Sequence, residues 1–238
     1  MNEEKLYRMI EEKEGLVSLA FPALMRKVYV WMTLALVITG FTAYGISSNP
    51  GLAHTIITNR LLFWGLIIGE LGLVMAISGA IRRLSIATAT LLFVLYSILN
   101  GATLSVLFYA YTLSSIATVF FITAGTFAVM AFVGYTTKAD LTSLGKLLFM
   151  ALIGIIIATV VNMFLGSSML HLIVSYVGVA VFVGLTAYDT QKIKRMLYEA
   201  DNMSEEAQKL ALLGSLTLYL DFINLFLMLL RIFGNNRD

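Results

Sequence analysis

Seven apolar stretches dominate this chain. Each is long enough to cross the hydrocarbon of a bilayer, which takes about 20 helical residues at ~1.5 Å per residue. They cover residues 28–46, 61–80, 86–108, 115–135, 147–165, 169–190 and 210–230. Only 13% of the residues are charged and the mean hydropathy is +0.89, whereas a soluble domain carries about 25% charge. The fold class that follows is an all-α polytopic membrane protein with seven transmembrane helices. Residues 1–20 read as a polar, cytosolic N-terminal tail, either a short surface helix or a disordered segment. Residues 21–234 read as the transmembrane domain and 235–238 as a short C-terminal tail. The first fifteen residues are rich in charge and the first apolar run comes later and is long, so no cleavable signal peptide is expected. The absence of cysteine excludes disulfides, thiolate metal sites and a cysteine nucleophile.

The connections are polar or tight. Residues 47–60 hold Pro50, Gly51 and His54, residues 136–146 form a polar connector, Gly166-Ser167-Ser168 reads as a tight turn, and residues 191–209 read as the longest polar loop. Lys and Arg placement sets the orientation. With the N-terminus in the cytosol, 13 of the 16 basic residues fall on the cytosolic side and 3 (Arg60, Arg231 and Arg237) on the far side. Seven crossings place the C-terminus outside, and a last span that re-entered would return it to the cytosol.

That last span, 210–230, carries one carboxylate, Asp221. Gly214, Thr217, Asp221, Asn224 and Met228 recur at steps of three and four, which sets them on one helical face. A charge at mid-membrane costs about 2.5–3.5 kcal/mol on insertion scales, so this face should meet protein or water. The last span is therefore expected in the interior with the others around it. Of fourteen acids, three lie within spans: Glu70, Asp189 and Asp221. Asp189 and Asp221 sit on consecutive antiparallel spans at depths that differ by about 5 Å, within side-chain reach. Two carboxylates that close cannot both ionise easily and share a proton. They would form a proton-dependent latch, or they are two separately satisfied polar residues. Arg82 and Arg83 end the second span on the same side. One could neutralise the pair, or both anchor the span end. Glu70 lines a path or is a protonated, hydrogen-bonded carboxyl. Ser97, Gly101 and Ser105 form a small-residue face that suits close packing, with Asn100 and Thr103 beside it. His54 and His171 have no ligand-spaced neighbour. No phosphate loop and no basic, aromatic-interleaved patch is present, so a nucleic-acid partner is not expected.

Gly184-Leu185-Thr186-Ala187-Tyr188-Asp189-Thr190-Gln191, followed by Leu218-Tyr219-Leu220-Asp221-Phe222-Ile223-Asn224-Leu225-Phe226, resembles the Bax inhibitor-1 family, also called the transmembrane BAX inhibitor motif family. Tyr96-Ser97 with Gly101-Ala102-Thr103-Leu104-Ser105, and Gly134-Tyr135-Thr136-Thr137-Lys138-Ala139-Asp140-Leu141, are similar to the family too. The short tails and loops resemble bacterial members. The resemblance implies a seven-helix fold with the last helix central, placed in the cell's inner (plasma) membrane, and a pH-sensitive calcium leak. It maps a proton-sharing aspartate latch onto Asp189 and Asp221, a latch arginine onto Arg82 with Arg83 as the alternative, and a family acidic position onto Glu70. It also associates some relatives with a membrane protease or with suppression of cell death.

Four readings follow. The first is a pH-gated cation pathway with Ca²⁺ as the transported ion, for which Asp189 and Asp221 supply oxygen ligands. Its partners are the bilayer, Ca²⁺ and protons; no catalysis and no resident cofactor are expected. The alternative is a membrane-embedded regulatory protein that binds a membrane protease, or acts in a cell-stress response, without transport. An intramembrane aspartyl protease fits poorly, because Leu218-Tyr219-Leu220 stands before Asp221 where such enzymes carry glycines. Proton-coupled metabolite transport would need a substrate pocket that the sequence does not locate.

Overall fold

The computed structural model describes residues 3–200 and 203–235, with side chains from residue 20 onward. Among the described residues all regular structure is helical: α1 (Glu3–Ser47), α2 (Pro50–Thr58), α3 (Arg60–Ala80), α4 (Ile86–Leu104), α5 (Leu107–Ala110), α6 (Leu113–Thr136), α7 (Thr142–Leu165), α8 (Ser168–Tyr198) and α9 (Glu205–Phe233). Seven of the helical segments are long and apolar enough to cross a membrane, α4 and α5 counting as one. Lipid offers no partner to backbone groups, so helices are the form such segments take. Side-chain caps start them. Asn49, Asn59, Ser85, Thr112, Ser167 and Ser204 each accept from backbone amides in the first turn of the following helix. Gly166 ends α7 at φ 61, a left-handed conformation that glycine adopts without strain.

The last helix is central, as its buried-acid face requires. In its span window 61% of residues are buried, against 6% for α3 and for α7. The other six spans surround it in two shells: α1, α4, α6 and α8 pack directly on α9, whereas α3 packs on α4 and α7 on α8. The outer pair can expose large apolar side chains such as Leu61, Ile68, Phe149 and Phe164 because lipid covers them. α1 buries Leu24, Val28, Met32, Ala35, Thr39 and Ala43, a stripe at helical spacing. Two glycines let helix backbones approach closely. A Cβ on Gly101 of α4 would sit 2.6 Å from the Thr39 carbonyl oxygen of α1, and a Cβ on Gly134 of α6 would collide with the Ala187 carbonyl of α8. The Ser97–Gly101–Ser105 face is thus a packing face, with Ser97 and Ser105 buried.

Several boundaries differ from the hydropathy reading. The first span begins by Ala20 within a helix that runs from Glu3 and contains Pro22. The 47–60 connection folds as α2. The 191–209 stretch is mostly helix rather than loop: α8 continues to Tyr198, because Ile193 and Leu197 are buried at i, i+4, and α9 starts at the Ser204 cap with Glu205 and Glu206 in its first turn. The far tail beyond Asn235 and residues 201–202 lie outside the described residues. α9 crosses the whole bundle. At one end Glu205 accepts from the Ile86 amide at the start of α4 (3.0 Å); at the other, Asn235 bonds Ser115 (2.9 Å) and Thr112 at the start of α6.

Candidate functional site

The polar face of α9 is turned to α8 along its length. At one level Gly214 lies against Ile193, where an added Cβ would come within 3.0 Å of its side chain. Farther along, Met228 lies against Gly178. Between them Asp221 meets Asp189, and the two carboxyls stand within hydrogen-bonding reach of each other. A carboxylate is an acceptor only, so a bond between them exists only while one of the pair holds a proton. Both residues are buried, with 6% and 9% exposure. No other donor among the described residues reaches the buried Asp221 Oδ2. Its near neighbours do not satisfy it: Thr217 donates to the Leu213 carbonyl (3.1 Å) and Asn224 to the Leu220 carbonyl (2.8 Å), both on the same helix.

A cavity of about 890 Å³ borders the pair. Phe149, Leu152 and Ile156 of α7, Phe182 and Leu185 of α8 and Leu220 of α9 form its apolar walls; Asp189, Asp221, Thr217, Asn224, Lys146 and Lys192 are its polar groups. Lys192, one turn beyond Asp189, is the cation whose field reaches that carboxyl, and its Nζ lies 5.9 Å from the Tyr188 ring. The pair offers two carboxylates, not the six to eight oxygens of a closed Ca²⁺ cage. Among the described residues no group of three or more acidic or histidine side chains could hold a metal.

The structure does not bring Arg82 or Arg83 to the pair. Both are exposed in the turn after α3, and neither side chain has a hydrogen bond or ion pair among the described residues. α3 packs on α4, away from α8. Glu70 is likewise elsewhere. Its carboxylate accepts from Asn100 Nδ2 (3.0 Å) and from the Thr103 hydroxyl. Asn100 Oδ1 in turn accepts from the Tyr219 hydroxyl (2.9 Å), which contacts the Thr39 hydroxyl (2.7 Å); Thr39 reaches the Ser97 carbonyl (3.0 Å). This chain joins α3, α4, α9 and α1. His54 and His171 lie apart from both clusters.

Sequence reasoning missed Lys192, Tyr219 and Gln191. The three-residue step from Asp189 marks Lys192 as its facing neighbour, and Tyr219 falls two positions before Asp221, on the opposite face of α9. Gln191 staples α8 to the connector between α6 and α7: its Oε1 accepts from the Leu141 amide (3.0 Å) and its Nε2 donates to the Ala139 carbonyl (2.8 Å). Arg195 adds an ion pair to Asp140 (2.9 Å), and Lys194 donates to the Tyr135 carbonyl (2.7 Å). Hydrogen bonds from Thr142, then from Arg195, hold the exposed Asp140 carboxyl down to about 2.

Two of the segments that carried the resemblance therefore touch, at Gly134–Ala187 and at Gln191–Ala139. Comparison with known proteins agrees with them. The family model described as "Inhibitor of apoptosis-promoting Bax1" matches residues 22–238. The chain is 52% identical over 214 residues to the inner membrane protein YbhL of Escherichia coli, covering 90% of this chain and 92% of that one. It is 47% identical over 228 residues to a protein of Borreliella burgdorferi, covering 96% and 97%. With a membrane protein of Streptococcus pyogenes it shares 38% identity over 212 residues, covering 88% and 91%. A helical bundle of seven membrane-length spans, the motifs that join α6 to α8, and a family match over nearly the whole chain make this protein a member of the Bax inhibitor-1 family.

Proposed function

We propose that the protein is a pH-sensitive cation leak of the inner membrane, with Ca²⁺ as the transported ion and the Asp189–Asp221 pair as its gate. The observation that carries this reading is the approach of two buried carboxyls to hydrogen-bonding reach beside a cavity, with no other group donating to the buried Asp221 Oδ2. While a proton is shared, the bond it makes ties α8 to α9. Loss of that proton replaces an attraction by repulsion between two charges in a poorly solvated place. The helices then gain a reason to part, and two carboxylates become available to a passing divalent cation. Lys192 takes the place beside Asp189 that the resemblance gives to Arg82, a reading supported by its charge reaching that carboxyl. The surplus of Lys and Arg at this end supports a cytosolic placement for it, with the N-terminus. The relative YbhL, an inner membrane protein by name, supports the inner membrane as the location. No catalytic step belongs to this mechanism.

The test is Ca²⁺ flux into liposomes that hold the purified protein, over about pH 5 to 8. Wild type should carry more Ca²⁺ as pH rises, and Asp189→Asn or Asp221→Asn should flatten that rise. Flux no greater than that of empty liposomes at any pH would end the channel reading. It would leave the alternative, a membrane-embedded protein that binds a protease or another partner without transport.

A further inference from the structure

The groove between α1 and α6 has no role in that mechanism. Both helices pack on α9, and they meet each other at the Phe21–Tyr135 stack. Beyond it they leave a cavity of about 680 Å³, within the usual range for small-molecule sites of about 300–1,000 Å³. One end carries Arg26, Tyr29 and Tyr135; the other ends at Leu36 and Phe120. None of the lining side chains is acidic. From Arg26 to Leu36 is ten residues of helix, about 15 Å, which is about half of the ~30 Å hydrocarbon thickness. The groove thus runs from the interface to mid-bilayer, the depth of one leaflet.

Its polar end is cationic and free to bind. Arg26 is exposed and has no hydrogen bond or ion pair among the described residues, whereas the adjacent Lys27 is already engaged by Gln208 (2.8 Å). A second cation, Lys194, stands over the Tyr135 ring at 5.0 Å. An apolar slot one leaflet deep, with a guanidinium, a second cation nearby and no acidic side chain at its interfacial end, matches one ligand chemistry: an acyl-chain lipid whose phosphate carries no neutralising ammonium group. We propose that the α1–α6 groove is a binding site for an anionic phospholipid, with the headgroup phosphate on Arg26 and one acyl chain laid along the slot to Phe120. A bidentate guanidinium–phosphate contact would fix the headgroup.

The experiment is native mass spectrometry of the purified, delipidated full chain, titrated with phosphatidylglycerol or with phosphatidylcholine of the same acyl chains. Wild type should take up one phosphatidylglycerol with about fivefold preference, the size expected of one basic residue at an anionic surface. Arg26→Gln should bring the two lipids to parity and Arg26→Lys should restore part of the preference. Ala128→Trp, which fills the slot, should remove the first bound lipid of either kind; Ala124→Leu, a smaller filling, guards against a variant that does not fold. Equal lipid uptake by wild type and both filling variants overturns the proposal. So does displacement of the lipid by inorganic phosphate alone, which makes this an anion site. A change from dimer to monomer on filling, with lipid uptake unchanged, makes the groove a contact between two copies and also overturns it.

Discussion

The central helix α9 presents two polar clusters on opposite faces, and they are built differently. Tyr219 and Asp221 are two positions apart, about 200° around the helix. On the Tyr219 side, amide, hydroxyl and carboxylate groups from four helices each find a partner. Two hydroxyl hydrogens, those of Tyr219 and Thr39, serve three contacts there, so they are shared in turn. On the Asp221 side two buried acids face each other beside a cavity, and no other donor reaches Asp221 Oδ2. Buried polar groups are nearly always partnered, and an exception calls for a reason. The partnered cluster reads as the tie that fixes α9 among α1, α3 and α4. In the proposed mechanism the under-partnered one is where protonation or a cation changes the packing.

The sharpest test of that contrast is to neutralise an acid on each face. Asp221→Asn should remove most of the pH dependence of Ca²⁺ flux in liposomes, because each pH unit beyond the midpoint shifts a shared-proton population about tenfold. Glu70→Gln should leave the pH profile in place; a flat profile in Glu70→Gln would erase the distinction between the two clusters. A substitution that disturbs neither face chemically but forces α6 off α8 comes next. Gly134→Val drives a side chain into the Ala187 carbonyl and should cost about 3 kcal/mol, read as a lower unfolding midpoint in detergent. Tyr219→Phe deletes the hydroxyl that Asn100 Oδ1 accepts from. It should cost about 1–3 kcal/mol in the same measurement while flux keeps its pH response. The smallest effect belongs to Asp140→Asn. The carboxyl is held at about 2, below the ordinary aspartate value of about 3.9. The stabilisation from its bonds with Thr142, and then with Arg195, is therefore complete above pH ~4 and is lost only as the pH falls toward 2. Across about pH 5 to 8 the flux profile of Asp140→Asn should superimpose on wild type.

Much of this arrangement was legible in the chain, and the parts that were not share a cause. Hydropathy located the seven spans, and the steps of three and four among Gly214, Asp221 and Met228 identified the face that meets α8 at Ile193, Asp189 and Gly178. The similar depths of Asp189 and Asp221 allowed their meeting without requiring it. Spacing along a helix gives depth and facing but not the position of one helix around another. Arg82 shares an end of the molecule with the aspartates, yet α3 stands on the α4 side of α9. For the same reason Asn100 and Thr103 could be marked as polar without their acceptor, Glu70, being known. The helical run from Gln191 to Tyr198 was hidden by composition. Lys192, Lys194 and Arg195 read as loop, while Ile193 and Leu197, packed beneath them, keep the helix wound.

Because α9 follows every one of its neighbours in the chain, the bundle must be assembled around a member that arrives last. Synthesis proceeds from the N-terminus, so α1, α4, α6 and α8 enter the bilayer before the helix they are shaped to hold. Until α9 is threaded among them, Thr39, Asn100 and Asp189 lack the Tyr219 and Asp221 partners recorded here. Full partnering of these interior polar positions therefore waits on the last of the seven spans, which carries the groups that complete them.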